Sequence, residues 1–483
     1  MEKDRIVIFG ASGGAIKVAK TLKNLGIDYL YFVDNDKNKW GTTVEGKAVD
    51  SPERLYQEKC RILIASDYQA EIEKQLCEMG LLDNLVIKEE LIMNYVECHI
   101  KEFDFIKNID VDATKQRGLI FGLEEGLVLG GIESFTFMLA KELKQSFEKT
   151  VIFTKRTDDS APAGLESNIR YFDFDYDDYW DSIVNLVKAI VESSPCVIID
   201  NWQNQILIAV SIIKKYFPEY VRCISIVHND KVLLYRKAAF MQKYMDIIAG
   251  VSRKINHHLA DDFGVDKEKI RYKESPVEYS QNLVRNYTVD QSKPLEIGYA
   301  ARVTKFQKRA DLLIPLMMEL NKRGVNYHLN IAGDGNYFTK LKERIAENNL
   351  ANWVTLYGSV ARDKMPEYWK KQDVFLSVSD FEGASISMLE AMSYGTVPVV
   401  TAVSGTEEFI QNGKNGFLSE TSNVEMMSGI IELLEKNRER LTELGGNARE
   451  TVKRKAGKED YIAYMKALTD ENETQKWGLS WQG

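Results

Sequence analysis

The stretch VFLSVSDFEGASISMLEAMSYGTVPVVT, residues 374–401, reads as strand, polar loop, helix and strand in immediate succession. Val374–Val378 is an apolar, β-branched run of strand length, and Asp380, Glu382 and Gly383 interrupt it with loop chemistry. Ile386–Tyr394 spaces its apolar residues for one helix face, Gly395 stops the helix, and Val397–Thr401 resumes as a strand. A strand that returns to a strand through a single helix is a βαβ unit with parallel strands.

The same rhythm extends outward in both directions. Candidate strands are Ile6–Phe9, Tyr29–Val33, Ile62–Ile64, Val151–Thr154, Val197–Asp200, Ile224–Val227 and Ile247–Val251. Glu296–Tyr299, Tyr327–Ile331 and Trp353–Tyr357 follow, with helix-period segments such as Ala310–Leu320 between them. The expected class is α/β, with parallel sheets covered on both faces. Polar stretches at Lys101–Arg117 and Gln281–Pro294 suggest boundaries. They divide the chain into 1–105, 113–285, 286–455 and a helical tail, 456–483, each of the first three large enough to bury its own core.

Composition narrows the function classes. A formal charge of −9 argues against a general nucleic-acid binder, which needs a basic surface to displace counterions. Five scattered cysteines, Cys60, Cys77, Cys98, Cys196 and Cys223, include no Cys-x-x-Cys pair, so neither zinc nor a disulfide framework is expected. The start MEKDRIVIFG belongs to a strand, not a signal segment. No window approaches the ~18 apolar residues of a membrane span, which points to the cytoplasm.

The chemistry concentrates in 296–418. Arg302 leaves a strand's carboxyl end and Lys308 follows at a helix start, where doubly wound sheets bind ligands. A planar fork and a mobile ammonium together suit a diphosphate, although two solvated surface cations would read the same way. IAGDG places Gly333 at a strand end. Glu382 and Glu390 form an E-x7-E pair, one carboxylate in the loop and one in the helix. Gly383, Ala384 and Ser385 put free backbone N–H groups at that helix's start. The plain alternative for Glu390 is a capping box with Ser387.

Taken in order, Arg302, Lys308, the IAGDG turn, the E-x7-E pair and EEFIQNGKNGFL resemble the C-terminal domain of the family-four retaining glycosyltransferases of GT-B fold. The resemblance is dense over about 290–420. It implies that Arg302 and Lys308 bind the diphosphate of a UDP- or GDP-sugar, with no metal required. It further implies that Glu382 and the backbone after Gly383 hold the donor sugar, and that Glu390 holds the ribose. Ala301 and Arg309 stand where the family commonly has glycine, which bears on the shape of this loop.

The middle segment supplies the facing wall. GLVLGGIESFTFMLAKEL sets Gly130 and Gly131 before an amphipathic helix, either as a flexible turn or as a phosphate loop. His228 ends the strand in ISIVHND; alone it is an ordinary polar residue, but the resemblance makes it the cleft histidine near the donor sugar and acceptor. IRYKESPVEY departs from the family's Asn-Gly turn. The expected acceptor is a glycan or lipid-linked glycan. KVLLYRKAAFMQKYMDII reads first as a helix packing its apolar stripe, and secondly as a contact with a lipid-linked acceptor or the membrane's inner face. FDFDYDDYWD is a solvated acidic loop, and the adjacent His257 and His258 make a poor metal pair.

At the N-terminus, IVIFGASGGAIKVAK is a strand, a glycine-rich turn and a helix, with Asp34 closing the next strand. Gly10, Gly13, Gly14 and Asp34 form an imperfect dinucleotide fingerprint for a nucleotide or NAD-like ligand. The run FVDNDKNKWGTTVEGKAVDSPERL is similar to small Rossmann-like modules attached to bacterial polysaccharide-biosynthesis enzymes, including sugar acyltransferases. A surface polysaccharide or other glycoconjugate is the expected product. The alternatives are an NAD-dependent sugar-nucleotide oxidoreductase or epimerase, and a non-catalytic sugar-nucleotide-binding partner. Trp477 and Trp481 in the tail are expected either to pack back onto the middle segment or to stay disordered.

Overall fold

Three sheets organise the chain in sequence order. The computed structural model describes residues 5–66, 68–111, 117–127, 130–157, 161–174, 176–202, 204–279 and 283–470. The first sheet runs Thr43–Val44, Lys47–Asp50, Phe32–Val33, Ile6–Phe9, Arg61–Ile64, Leu85–Val86, and only its outermost pair is antiparallel. The second runs Ile270–Tyr272, Ile247–Gly250, Val221–Val227, Cys196–Asp200, Gly118–Leu123, Thr150–Thr154, Ile169–Tyr171, all parallel. The third, also parallel, runs Val354–Gly358, Tyr327–Ala332, Leu295–Ala300, Val374–Ser377, Val397–Thr401, Phe417–Ser419.

Helices cover both faces of the sheets, so central strands need apolar side chains on each side. Ile6–Phe9, Cys196–Asp200, Val221–Val227 and Val397–Thr401 are accordingly buried at every position. Each sheet reverses its strand order once. The reversals lie between Ile6–Phe9 and Arg61–Ile64, between Gly118–Leu123 and Cys196–Asp200, and between Leu295–Ala300 and Val374–Ser377. Loops leaving two such strands diverge to opposite faces and open a crevice beyond their carboxyl ends. The fold thus provides three places for a ligand.

Two of the expected strands, Ile6–Phe9 and Val397–Thr401, have the anticipated ends. Gly118–Leu123 was not anticipated, although it is fully buried and central to the second sheet. Its two glycines and the polar stretch before it disguise the apolar run. Gly118 earns its place by packing, since a Cβ there would press on the Ser193 carbonyl at 3.1 Å. The other omissions, such as Lys47–Asp50, Ile169–Tyr171 and Phe417–Ser419, are short strands at or near sheet edges.

Two helices tie the sheets together. Helix Lys88–His99 sends Leu91 into the first core and Ile92, Met93 and Val96 into the second. Helix Lys458–Thr469 returns to the second sheet, where Tyr461, Met465 and Leu468 join its core and Arg222 donates to the Leu468 carbonyl at 2.9 Å. Arg438, 1% exposed, donates to the carbonyls of Thr288, Asp290 and Lys293, so much of the polar stretch before the third sheet is held down. Trp477 and Trp481 lie outside the described residues. No described helix is long and apolar enough to cross a membrane.

Candidate active site

The reversal in the third sheet brings two loops together. Arg302 follows Leu295–Ala300, and Glu382 follows Val374–Ser377. Gly333, φ +139°, lets the neighbouring strand's end approach so closely that a Cβ would lie 2.0 Å from the Ala301 carbonyl oxygen. Arg302 is exposed and makes one long contact, 3.4 Å, with Gln307. Lys308 and Glu382 meet at 2.6 Å with only 16% and 6% of their side chains exposed. Each charge compensates the other's desolvation.

Arg309 takes the conformation that glycine would supply, φ 47° and ψ 41°. A non-glycine residue there costs about 1–2 kcal/mol. Its guanidinium bridges Asp380, at 2.9 Å, and Asp311, at 3.2 Å, and so holds the loop in place. Gln307, φ 64°, donates to the Phe381 carbonyl, and its own carbonyl accepts from the Asp380 N–H at 2.8 Å. The departure from glycine therefore leaves the loop closed onto Asp380–Glu382.

Beyond Glu382, Gly383 presses on the facing sheet: a Cβ would lie 1.6 Å from the His228 carbonyl oxygen. Gly405, φ +77°, packs equally tightly behind Gly383. Ala384 packs against the second sheet's core, and Ser385 is the residue before helix Ile386–Ser393. The capping box Ser387–Glu390 does not form, because the helix begins at Ile386 and Glu390 sits in its middle. Burial pushes the Glu390 carboxyl up, while the Arg362 guanidinium and the Trp369 indole act against that rise. Arg362 also donates across the cleft to the Ser134 carbonyl at 3.3 Å.

The second sheet's reversal faces this array. Gly130 precedes helix Gly131–Leu143, and a Cβ on Gly131 would meet nothing within 4 Å. No neighbour requires glycine at 131. Glu133, in the first turn, folds back over Gly130. Burial raises its carboxyl, while the hydrogen bond from its own backbone N–H and, less strongly, the Arg302 guanidinium lower it. His228 Nε2 donates to Asn201 Oδ1 at 2.7 Å, and Asn201 Nδ2 donates to Thr136 at 3.0 Å. Burial pushes the imidazole down to about 4, so it is neutral near pH 7 and keeps Nδ1 as an acceptor.

Arg302, Lys308, Glu382, Gly383, Ala384, Ser385, Gly130 and Gly131 stand at the two facing reversals, His228 ends the strand next to the second one, and Glu390 lies one helix further in. Gly10, Gly13, Gly14 and Asp34 stand at the reversal of the first sheet. Sequence reading did not single out Glu133, Asn201 or Arg362. The only sequence signal for Glu133 was its place three residues after Gly130. Asn201 is found only once Cys196–Asp200 is set beside Gly118–Leu123. In helix Val232–Met241, Arg236 pairs with Glu73 at 3.3 Å and Lys237 with Glu89 at 3.2 Å. Those two cations thus face the first sheet's unit. Among the described residues no group of three or more His, Cys, Asp or Glu is arranged to hold a metal.

Comparison with known proteins bears on the family and the fold. Residues 283–451 match the family described as glycosyl transferases group 1, and residues 2–87 match the family described as C2185-like, N-terminal. The poly(ribitol-phosphate) alpha-N-acetylglucosaminyltransferase of Staphylococcus aureus (strain COL) is 32% identical over 168 residues, 34% of this chain and 33% of its own. The amylovoran biosynthesis glycosyltransferase AmsK of Erwinia amylovora is 28% identical over 193 residues, 38% and 46% of the two chains. The chain therefore aligns with a third to a half of these curated relatives. The crystal structure of Anabaena HepE with UDP and glucose superposes with a TM-score of 0.61 at 16% identity, covering 72% of this chain and 98% of that one. The likeness establishes the fold: the second and third sheets form a GT-B pair, preceded by a small Rossmann-like unit.

Proposed function

Since residues 283–451 match the glycosyl transferases group 1 family, we propose that the whole chain is a retaining glycosyltransferase. It would move a sugar from a UDP- or GDP-sugar to a hydroxyl of a glycan or lipid-linked acceptor. The supporting observation is the arrangement of the loops: the Lys308–Glu382 pair lies in the third sheet's loops, whose Gly383 presses on the His228 carbonyl of the facing sheet, and helix Gly131–Leu143 starts from that facing sheet. Two cations and a helix N-terminus suit the diphosphate of the donor. The partly buried Glu390 accepts hydrogen bonds from the ribose hydroxyls, and Glu382 with the backbone of Gly383–Ser385 holds the sugar.

In the proposed step the bond between the anomeric carbon and the diphosphate oxygen breaks, and its electron pair stays on the diphosphate. Arg302 and Lys308 stabilise that charge, so no metal is required. The acceptor hydroxyl attacks from the face the diphosphate leaves, and its proton passes to the departing phosphate oxygen. Neutral His228, fixed by Asn201, contacts the sugar through its acceptor nitrogen. Glu382 positions the sugar and is not a nucleophile. The product belongs to a surface polysaccharide or other glycoconjugate, made in the cytoplasm at or near the membrane's inner face.

The test is turnover of UDP- and GDP-sugars followed by proton NMR of the product. Retained anomeric configuration, with no glycosyl adduct on Glu382 by mass spectrometry, is expected. An inverted product, or a covalent adduct on Glu382, would refute the mechanism.

A further inference from the structure

The first sheet carries a ligand pocket of its own, separate from the cleft. A cavity of about 760 Å³ opens at the strand-order reversal between Ile6–Phe9 and Arg61–Ile64. Ser12 and Gly14, on the turn after the first strand, form one side. Helix Gly13–Asn24 starts there with no acidic residue in its first turn and no side-chain cap. The N–H groups of Gly13, Gly14 and Ala15 have no acceptor among the described residues. Gly13 and Gly14 have ordinary backbone angles, and a Cβ would meet nothing on Gly13 and only the Ala65 carbonyl, at 3.5 Å, on Gly14. Nothing in the surrounding protein requires glycine at either place.

A second, independent feature faces the same space. Lys88 lines the cavity, and its ammonium has no hydrogen bond or ion pair among the described residues. The nearby acids are otherwise engaged: Glu89 pairs with Lys237 at 3.2 Å, and Glu124 accepts from the N–H groups of Gln205 and Ile206. Burial holds the Lys88 ammonium below the usual lysine range, a desolvation cost that an incoming anion would offset. Asp34 does not compete for an anion site, because Ala11, Asp36 and Lys39 already donate to it. Ile72 and Val86 give the cavity an apolar wall, and Leu233 and Asn204 from the second sheet's unit close it.

We propose that this cavity binds a nucleoside phosphate, with the phosphate between the helix start at Gly13–Ala15 and Lys88 and the nucleoside against Ile72, Val86 and Leu233. An open helix N-terminus and an unpaired lysine recognise the phosphate, and the apolar wall takes the ring. The pocket needs both units, so the N-terminal unit does not bind alone. Its rim residue Tyr68 packs edge-on to Phe306 at 5.0 Å, in the loop between Arg302 and Lys308. Tyr68 thus links the pocket's lining to the loop that carries the cleft's cations.

Isothermal titration of the full chain tests this, with ADP, UDP and inorganic pyrophosphate as probes. The background is Glu390→Ala, which weakens nucleotide binding in the cleft. One site for ADP or UDP is expected, weakened at least tenfold by Gly14→Asp, which sets a carboxylate where the phosphate would sit. Lys88→Ala is expected to weaken the same site. Gly14→Asp keeps an acid favourable to a helix start, so it reads binding even if Lys88→Ala does not fold. No binding of either nucleotide, binding of pyrophosphate alone, or nucleotide binding indifferent to Gly14→Asp would overturn the proposal. Gly14 and Lys88 line this cavity and not the cleft, so a loss of binding that follows their substitution reads this site whether or not the transferase reading holds.

Discussion

Gly383→Ala places one methyl group at the contact between the two facing sheets. The added Cβ would lie 1.6 Å from the His228 carbonyl oxygen and 3.0 Å from the Asn229 nitrogen, where real contacts essentially never fall below 3.0 Å. Both neighbours are backbone, so no side chain can swing away, and the sheets must part by about 1.4 Å at that point. The parting falls where the donor sugar is proposed to sit. A misplacement of about 1 Å of reacting groups costs on the order of 100-fold in rate. Gly383→Ala should therefore lower kcat by about two orders of magnitude, while far-UV circular dichroism stays unchanged. The assay is release of nucleoside diphosphate from the sugar nucleotide that the wild type turns over. Gly446→Ala, in helix Arg440–Lys455 with nothing within 4 Å of its Cβ, is the control and should keep wild-type rates. A Gly383→Ala enzyme with kcat within threefold of wild type would refute the reasoning.

Other substitutions probe separate elements. Lys308→Met strands the buried Glu382 carboxylate and should cost about 3 kcal/mol, most of it recovered by adding Glu382→Gln; equal Tm values for the single and double variants would contradict the pairing. Arg309→Gly should be more stable than Arg309→Ala by about 1 kcal/mol, because both lose the ion pairs and only glycine relieves the positive φ; urea midpoints decide this. Lys237→Met should leave Glu89 unpaired between the first two units and make 1–105 more sensitive to limited proteolysis, and unchanged cleavage would count against that contact. His228 has a folded pKa below its unfolded value, so the unfolded chain takes up its proton first. This group withdraws stability as pH falls from about 6.5 towards 4, with a limiting slope of about 1.4 kcal/mol per pH unit. Denaturation at pH 7.5, 6 and 5 should show the gap between wild type and His228→Gln narrowing with acid, and a constant gap would refute it.

Much of the fold was legible because buried parallel strands are continuously apolar and glycine marks their ends. Val374–Thr401 contained both strands, the helix and the glycine stop, and the structure placed them accordingly. Gly118–Leu123 was not legible, since its glycines serve packing against Ser193, a contact made only after the sheet forms. The cleft was partly legible: charged residues at strand ends are visible in sequence, and Lys308 and Glu382 do meet. Which residues answer them from the other sheet was not. Asn201 orients His228 only because strands distant in sequence lie side by side. The same holds for Lys237, which is buried against Glu89.

The central claim is that a nucleoside diphosphate binds at Arg302, Lys308 and Glu390. Isothermal titration of UDP and of GDP into the wild type and into Glu390→Ala tests it most directly. Hydrogen bonds to a charged group are worth roughly 1.5–3 kcal/mol, so the substitution should weaken one of the two nucleotides by about 10- to 150-fold. Binding of neither nucleotide to the wild type, or equal affinities for wild type and Glu390→Ala, would contradict the account.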